Sequence, residues 1–105
     1  MPQNYNVNTT PRAERDLDEI VDYIFANSPQ NSRRVKQRLA TAIESLDLFP
    51  GRYKVFEINP NPDEIVHSMP VPPFIIYYRV IELKLLVEIL SVRHGARDRP
   101  PSFFG

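Results

Sequence analysis

The order of apolar patterns along this chain predicts an α+β domain, with an N-terminal strand and an antiparallel helical hairpin packed on a small antiparallel β-sheet in the order β-α-α-β-β-β. Three observations carry the prediction. Two amphipathic helical patterns succeed each other in the first half of the chain with almost no link between them. The stretch FIIYYRVIELKLLVEILSVRHGARD, Phe74 to Asp98, places two runs rich in branched and aromatic residues around a polar break, which is the composition of a strand hairpin. The length, 105 residues, suits one domain spanning 1–105 that can bury roughly 60–70% of its unfolded surface.

Each element has its own signal. Tyr5 and Val7 alternate with Asn4, Asn6 and Asn8, the period of a short strand with one buried face. Thr10-Pro11 then starts a helix, because threonine caps free backbone N–H groups and proline at the first helical position loses no hydrogen bond. Leu17, Ile20, Val21 and Ile24 form its apolar face, and the helix is expected to run to about Ala26. Ser28-Pro29 repeats the start signal, and Val35, Leu39, Ala42, Ile43 and Leu46 mark the second apolar face. A link this short makes the two helices antiparallel neighbours. Pro50-Gly51 ends the pattern, glycine being the residue expected to take a left-handed closing conformation. Arg52 to Ile58 reads as a short strand, and Asn59 to Asp63 as a turn-rich loop. Ile65 to Val71 reads as a further strand, which Pro70, Pro72 and Pro73 place at an edge or end early. Two apolar runs joined through Glu82-Leu83-Lys84 complete the sheet, and Pro100-Pro101 opens a tail without regular structure or docked on the domain.

Composition removes several classes of function. Hydrophobic residues are 42% and charged residues 25% of the chain, ordinary globular values that argue against disorder, and the apolar runs are too short to span a bilayer. The polar start after Met1 lacks a secretory pattern, so the cytoplasm is the expected compartment. The absence of cysteine excludes disulfides, thiolate catalysis and cysteine-ligated zinc. His67 and His94 alone do not suggest a metal site, and neither a metal nor a cofactor is expected. Thirteen basic residues balance thirteen acidic ones, so the molecule lacks the basic excess behind most nucleic-acid affinity, and sequence-specific binding by this chain alone is not expected.

Chemistry concentrates at the end of the last strand. Arg93, His94, Arg97 and Arg99 bring three permanent cations and one titratable imidazole together, with Gly95 as the bend and Asp98 beside them. Guanidinium forks match phosphate or carboxylate, and histidine exchanges a proton near neutral pH. Solvated charges, with Arg97 and Asp98 as a surface pair, account for the cluster equally well. Phe103 and Phe104, if exposed together, form a candidate partner patch. Alternation sends Tyr77 and Tyr78 to opposite faces, one of them core, and sets Arg79 as a cross-strand partner for Glu88. Arg33, Arg34, Lys36 and Arg38 make a basic band on the second helix that pairs in composition with Asp16, Asp18, Glu19 and Asp22 on the first.

The residues Ala13-Glu14-Arg15-Asp16-Leu17-Asp18-Glu19-Ile20 with Tyr23-Ile24, Ile43-Glu44-Ser45-Leu46 with Phe49-Pro50-Gly51, Ile76-Tyr77-Tyr78-Arg79-Val80, and Ile89-Leu90-Ser91-Val92-Arg93-His94-Gly95-Ala96-Arg97-Asp98 carry a resemblance over most of the chain. It resembles the ParE branch of the ParE/RelE toxin superfamily of bacterial type II toxin–antitoxin pairs. The last two segments are the most specific. The resemblance implies a toxin neutralised by a cognate antitoxin that wraps its surface, a possible homodimer or hetero-oligomer with that antitoxin, and a part in plasmid stabilisation. ParE-like members are known for poisoning DNA gyrase, whereas the RelE-like branch cleaves messenger RNA on the ribosome.

Metal-free RNA cleavage must activate a ribose hydroxyl, stabilise an anionic phosphorane and protonate a leaving oxygen. In the RelE-like branch the groups come from basic residues on the middle strands and a tyrosine or histidine near the C-terminus. Here Val66-His67-Ser68-Met69-Pro70 and Phe74-Ile75-Ile76 hold no lysine or arginine, and Phe103-Phe104 stands where a tyrosine is expected. The expected function is therefore inhibition of gyrase by a protein that is not an enzyme, with Arg93, His94, Arg97, Asp98, Arg99, Phe103 and Phe104 as candidate contact residues. An endoribonuclease using Arg93, His94 and Arg97, and an inactive binding module, are the alternatives.

Overall fold

The computed structural model describes residues 4–58, 64–95, 100 and 102–103. Strand β1 (Asn6–Thr9) leads into helix α1 (Pro11–Asn27) and helix α2 (Pro29–Glu44). Two 3-10 turns, Ser45–Asp47 and Pro50–Arg52, connect to β2 (Lys54–Ile58), β3 (Ile65–Val71) and the hairpin of β4 (Phe74–Ile81) and β5 (Leu86–His94), which closes through a 3-10 turn at Glu82–Lys84. The five strands lie in the order β1-β5-β4-β3-β2, with the two helices layered on one face.

The α+β class and the helical hairpin agree with the expectation, but the sheet is mixed rather than wholly antiparallel. β1 runs parallel to β5, with Asn6 opposite Leu86 and Thr9 opposite Ile89. The helical hairpin has two legs and returns the chain to the end at which it started, so β2, β3 and β4 zigzag until β5 points the same way as β1. Alternation along Tyr5 to Asn8 gives a face but no polarity. Residues 52–71 supply two strands, which raises the strand count to five. β3 is interior, yet β2 covers it only as far as Ser68, so Pro70 lies where no β2 neighbour needs its missing N–H.

Capping fixes both helix starts. Thr10 Oγ1 accepts from the Ala13 N–H at 3.3 Å and donates to the Ile89 carbonyl at 2.7 Å, a carbonyl that also accepts from the Thr10 backbone N–H at 3.1 Å. One side chain therefore starts α1 and ties it to β5. Thr10→Ala is expected to lower the unfolding free energy by about 1–2 kcal/mol, with Thr10→Ser retaining most of it, as read by urea denaturation. Ser28 caps α2 through its bond from the Asn31 N–H, 3.3 Å.

The core forms between the helices and the sheet. Ala13, Val35, Leu39, Ile43 and Leu46 meet Met69, Phe74, Ile76, Tyr78, Val80, Val87, Ile89 and Val92, while Leu17, Ile20 and Ile24 pack at its margin. Tyr77 pairs with Ser91 and Tyr78 with Ile89, so Leu90 is an extra residue that bulges β5. The bulge shifts the alternation by one, and Val92 joins Val87 and Ile89 in the same core. Tyr77 and Tyr78 do point to opposite faces, but both are buried, 2% and 0% exposed. Tyr78 lies under the helices, whereas Tyr77 is covered by Phe56 at 5.0 Å and Phe103 at 5.3 Å between ring centroids. The expectation of a single core tyrosine fails because the outer face of the sheet has its own aromatic cover.

At the end of α2 the left-handed residue is Phe49, φ 47°, rather than Gly51. Arg52 holds it there, donating from Nη1 to the carbonyls of Leu48 (2.6 Å) and Phe49 (3.0 Å) and from Nη2 to Ser45. Four hydrogen bonds from one guanidinium offset a conformation that glycine would adopt without strain.

Candidate functional site

The far end of β5 is built onto α1 by a single carboxylate. Asp16 Oδ2 accepts from Ser91 Oγ at 2.7 Å and from the Val92 N–H at 3.0 Å, directly after the bulge at Leu90. Ser91 is fully buried and Oγ also accepts from Arg93 Nε at 3.0 Å. The line Asp16, Ser91, Arg93 thus fixes where the first arginine of the cluster lies. His94 is paired with Phe74 across the hairpin and meets its ring edge-on at 6.1 Å. The Gly95 N–H donates to the Pro73 carbonyl at 2.9 Å, and a Cβ there would lie 3.1 Å from the Ile75 side chain, so the close turn after His94 favours glycine.

Arg93 and His94 face a groove of about 620 Å³ between the helices and the ends of β4 and β5. Ile24, Val35 and Phe74 give it an apolar floor, and Tyr23 stands exposed at its mouth. Arg38 closes one side, where Nη2 donates to the Pro72 carbonyl at 2.8 Å. The groove is therefore apolar below and lined above by Asp16, Arg38 and Arg93, which are engaged within the fold, and by Glu19.

The predicted site residues divide. Arg93 and His94 come together in this groove. Arg97, Asp98, Arg99 and Phe104 lie outside the described residues. Phe103 lies on the other face of the sheet, against Phe56 and Tyr77, with its backbone N–H donating to Glu57 Oε1 at 2.8 Å and the Ser102 hydroxyl donating to the same carboxylate. It is half-buried, so it serves as an aromatic cover rather than an exposed patch. The pair Arg79 and Glu88 forms as expected, with Nε to Oε1 at 2.7 Å, and Glu64 joins it at 3.3 Å. The basic band of α2 forms no ion pair with α1 among the described residues. Asp16, Ser91 and Glu57 went unrecognised in the sequence, because each acts through a partner far along the chain and carries no local pattern.

Beyond the groove, Tyr78 donates its hydroxyl to the Pro50 carbonyl at 2.5 Å and stacks on His67 with centroids 5.2 Å apart. Burial pushes the Tyr78 phenol well above its ordinary ionisation range, a shift the nearby Arg52 guanidinium partly opposes. His67 Nδ1 lies 2.9 Å from the Tyr53 carbonyl, which can only accept, so Nδ1 carries a proton. The hydrogen bond to the Glu82 carboxylate, followed by burial and the charge of Glu82, raises the Tyr5 phenol. No set of three His, Cys, Asp or Glu side chains among the described residues is placed to hold a metal ion, and no described helix is long and apolar enough to cross a membrane.

Residues 7–99 match the family described as the ParE toxin of type II toxin-antitoxin system, parDE. Toxin RelE2 of Caulobacter vibrioides is 38% identical over 88 residues, covering 84% of this chain and 92% of that protein. Among solved structures, the chromosomal ParDE toxin–antitoxin system from P. aeruginosa matches with a TM-score of 0.66 at 20% identity, covering 86% of this chain and 95% of that one. The RelBE2 toxin–antitoxin complex from Mycobacterium tuberculosis matches at 0.58 and 23% identity, covering 88% and 92%. At these identities the two structures speak for the fold.

Proposed function

This chain belongs to the family of ParE toxins of type II toxin–antitoxin systems, and from that membership we propose that it inhibits DNA gyrase in the cytoplasm and is held in check by a cognate antitoxin. The observation that carries the reading is the condition of the cations. Arg93 donates to Ser91, Arg38 to Pro72, and Arg79 is held between Glu88 and Glu64. Catalysis of RNA cleavage calls for cations and an acid–base pair converging on one phosphate. Here these three cations serve separate internal partners, which suits a rigid surface presented to a protein.

Purified chain added to gyrase is expected to block supercoiling or to trap cleaved DNA. Full supercoiling activity at high excess of the chain would remove the reading. Arg93→Ala and His94→Ala are each expected to weaken inhibition about five- to thirty-fold, the cost of truncating a contact residue by about 1–2 kcal/mol.

Ribosome-dependent cleavage of messenger RNA is the second reading, and the identity to Toxin RelE2 over most of its length favours it. Primer extension on translated messages would then show new cuts that His94→Ala abolishes.

A further inference from the structure

The two edges of the sheet are finished differently. β1 is four residues long, exposes Asn6 and Asn8 and leads almost at once into α1, so it offers little to a further strand. β2 lies at the other edge, with no described strand beyond it. Its outward backbone edge runs beside two large apolar side chains left in water, Val55 at 43% and Ile58 at 66% exposure. No residue of β2 belongs to the core beneath the helices.

A bulge decides which face these side chains share. Val55 pairs with His67 and Glu57 with Val66, so Phe56 is an extra residue in the strand. His67 stacks on the core residue Tyr78, which places Val55 on the helical side of the sheet, and Ile58, paired with Ile65, falls on that side too. Phe56 and Glu57 both turn to the outer face, where Phe56 meets Tyr77 and Glu57 accepts from Ser102 and the Phe103 N–H. In a regular strand residues three apart face opposite ways. The bulge brings Val55 and Ile58 to one face.

We propose that β2 pairs with β2 of a second copy of this chain, antiparallel about a two-fold axis that passes between Phe56 and Glu57. The pattern of the strand is self-complementary in this register, as a two-fold interface requires. Val55 lies opposite Ile58 of the partner subunit on the helical side, and the same pair recurs across the axis, so each apolar side chain covers one that a single chain leaves in water. On the outer face Lys54 and Glu57 of the partner subunit are diagonal neighbours, within reach of a long side chain. The Glu57 carboxylate has lone pairs left for that cation beside the two bonds it accepts. The zero formal net charge sets up no general repulsion between copies. The inference does not depend on the toxin reading.

The test is sedimentation velocity of the full chain over a range of concentrations. A monomer–dimer equilibrium is expected, with a dissociation constant on the order of 10 μM because a five-residue edge is a small interface. Val55→Lys and Ile58→Lys are each expected to weaken it at least about ten-fold. Leu83→Lys, which charges an exposed apolar residue in the β4–β5 turn, is expected to stay within about two-fold of the parent. The chain has no cysteine, so Val55→Cys combined with Ile58→Cys should give a covalent dimer on mild oxidation. Either cysteine alone should give little, since its own copy lies three residues along the partner strand, beyond disulfide reach. This cross-link keeps the proposal testable if the lysine variants lose β structure by circular dichroism. A chain that stays monomeric at every concentration overturns the proposal, as does a dimer that neither lysine variant weakens. Equal loss with Leu83→Lys overturns it as well, and a ladder of larger species overturns it in favour of open-ended association. Cross-linking as strong in the single cysteine variants as in the double one overturns the register. If the chain is monomeric and Ile58→Lys instead loses binding to the product of the adjacent reading frame, the edge belongs to that protein and the proposal is overturned.

Discussion

Tyr78→Ala is expected to lower the unfolding free energy by about 3–5 kcal/mol and Tyr78→Phe by about 1–3 kcal/mol, read as a shift of the urea midpoint. The larger figure reflects a fully buried aromatic ring that stacks on His67 beneath the helices. The smaller one isolates the hydroxyl, whose removal leaves the Pro50 carbonyl without its donor while the ring stays in place. Pro50 follows the left-handed Phe49, so the same bond anchors the turn between α2 and β2 to the middle of the sheet. The phenol also sets a pH dependence. Its folded pKa lies above the ordinary 10.0, so the folded state holds the proton more tightly than the unfolded chain does. That contribution is complete below about pH 10 and is lost as pH rises toward the folded value. Stability measured at pH 7 and again at about pH 10.5 should therefore fall less in Tyr78→Phe than in the parent chain. Equal midpoints for Tyr78→Phe and the parent at neutral pH would refute the account.

Asp16→Ala is expected to cost about 2–4 kcal/mol, although Asp16 reads in the sequence as one more acid on a solvated helix face. Its Oδ2 receives both the Ser91 hydroxyl and the Val92 N–H, and removing it leaves two donors at a buried strand without an acceptor. Ser91→Ala removes one donor and should cost about 1 kcal/mol. In the Ser91→Ala background the further loss from Asp16→Ala should shrink, because only the Val92 N–H is then stranded. Arg93 takes its position from Ser91, so Asp16→Ala should also weaken the proposed inhibition of gyrase at temperatures where the variant remains folded. A variant that loses neither stability nor inhibition would show that the carboxylate does not hold α1 to β5.

Much of this molecule is legible locally. Helix starts at Thr10-Pro11 and Ser28-Pro29 use side chains and ring geometry that act within three residues, and both occur where expected. The hairpin around Glu82-Leu83-Lys84 and the Arg79 and Glu88 pair follow from alternation and turn position. What depends on partners far along the chain is not legible. Nothing near Tyr5 to Asn8 specifies that β1 runs parallel to β5, and nothing near Leu90 announces a bulge that brings Val92 into the core. Phe49 conceals its left-handed backbone behind a side chain that disfavours it, and Arg52, three residues later, reads only as a charge. For the candidate site, the sequence identifies Arg93 and His94 but not the Asp16 carboxylate beneath them.

The parallel pairing of β1 with β5 also orders events in time. β1, Thr10 and Asp16, all before residue 17, find their partners in β5: Leu86 to Ile89 for the strand, the Ile89 carbonyl for Thr10, and Ser91 and Val92 for Asp16. A chain that stops before residue 86 can form the helical hairpin and lay it on β3 and β4, but lacks Val87, Ile89 and Val92 and the bonds that tie β1 and α1 to β5. Closing so long a loop is slow in such topologies, and the part of the helical face that β5 covers stays open until it is closed. The core is thus completed only when the last strand is in place, so the strand end that carries Arg93 and His94 is also the part that closes the fold.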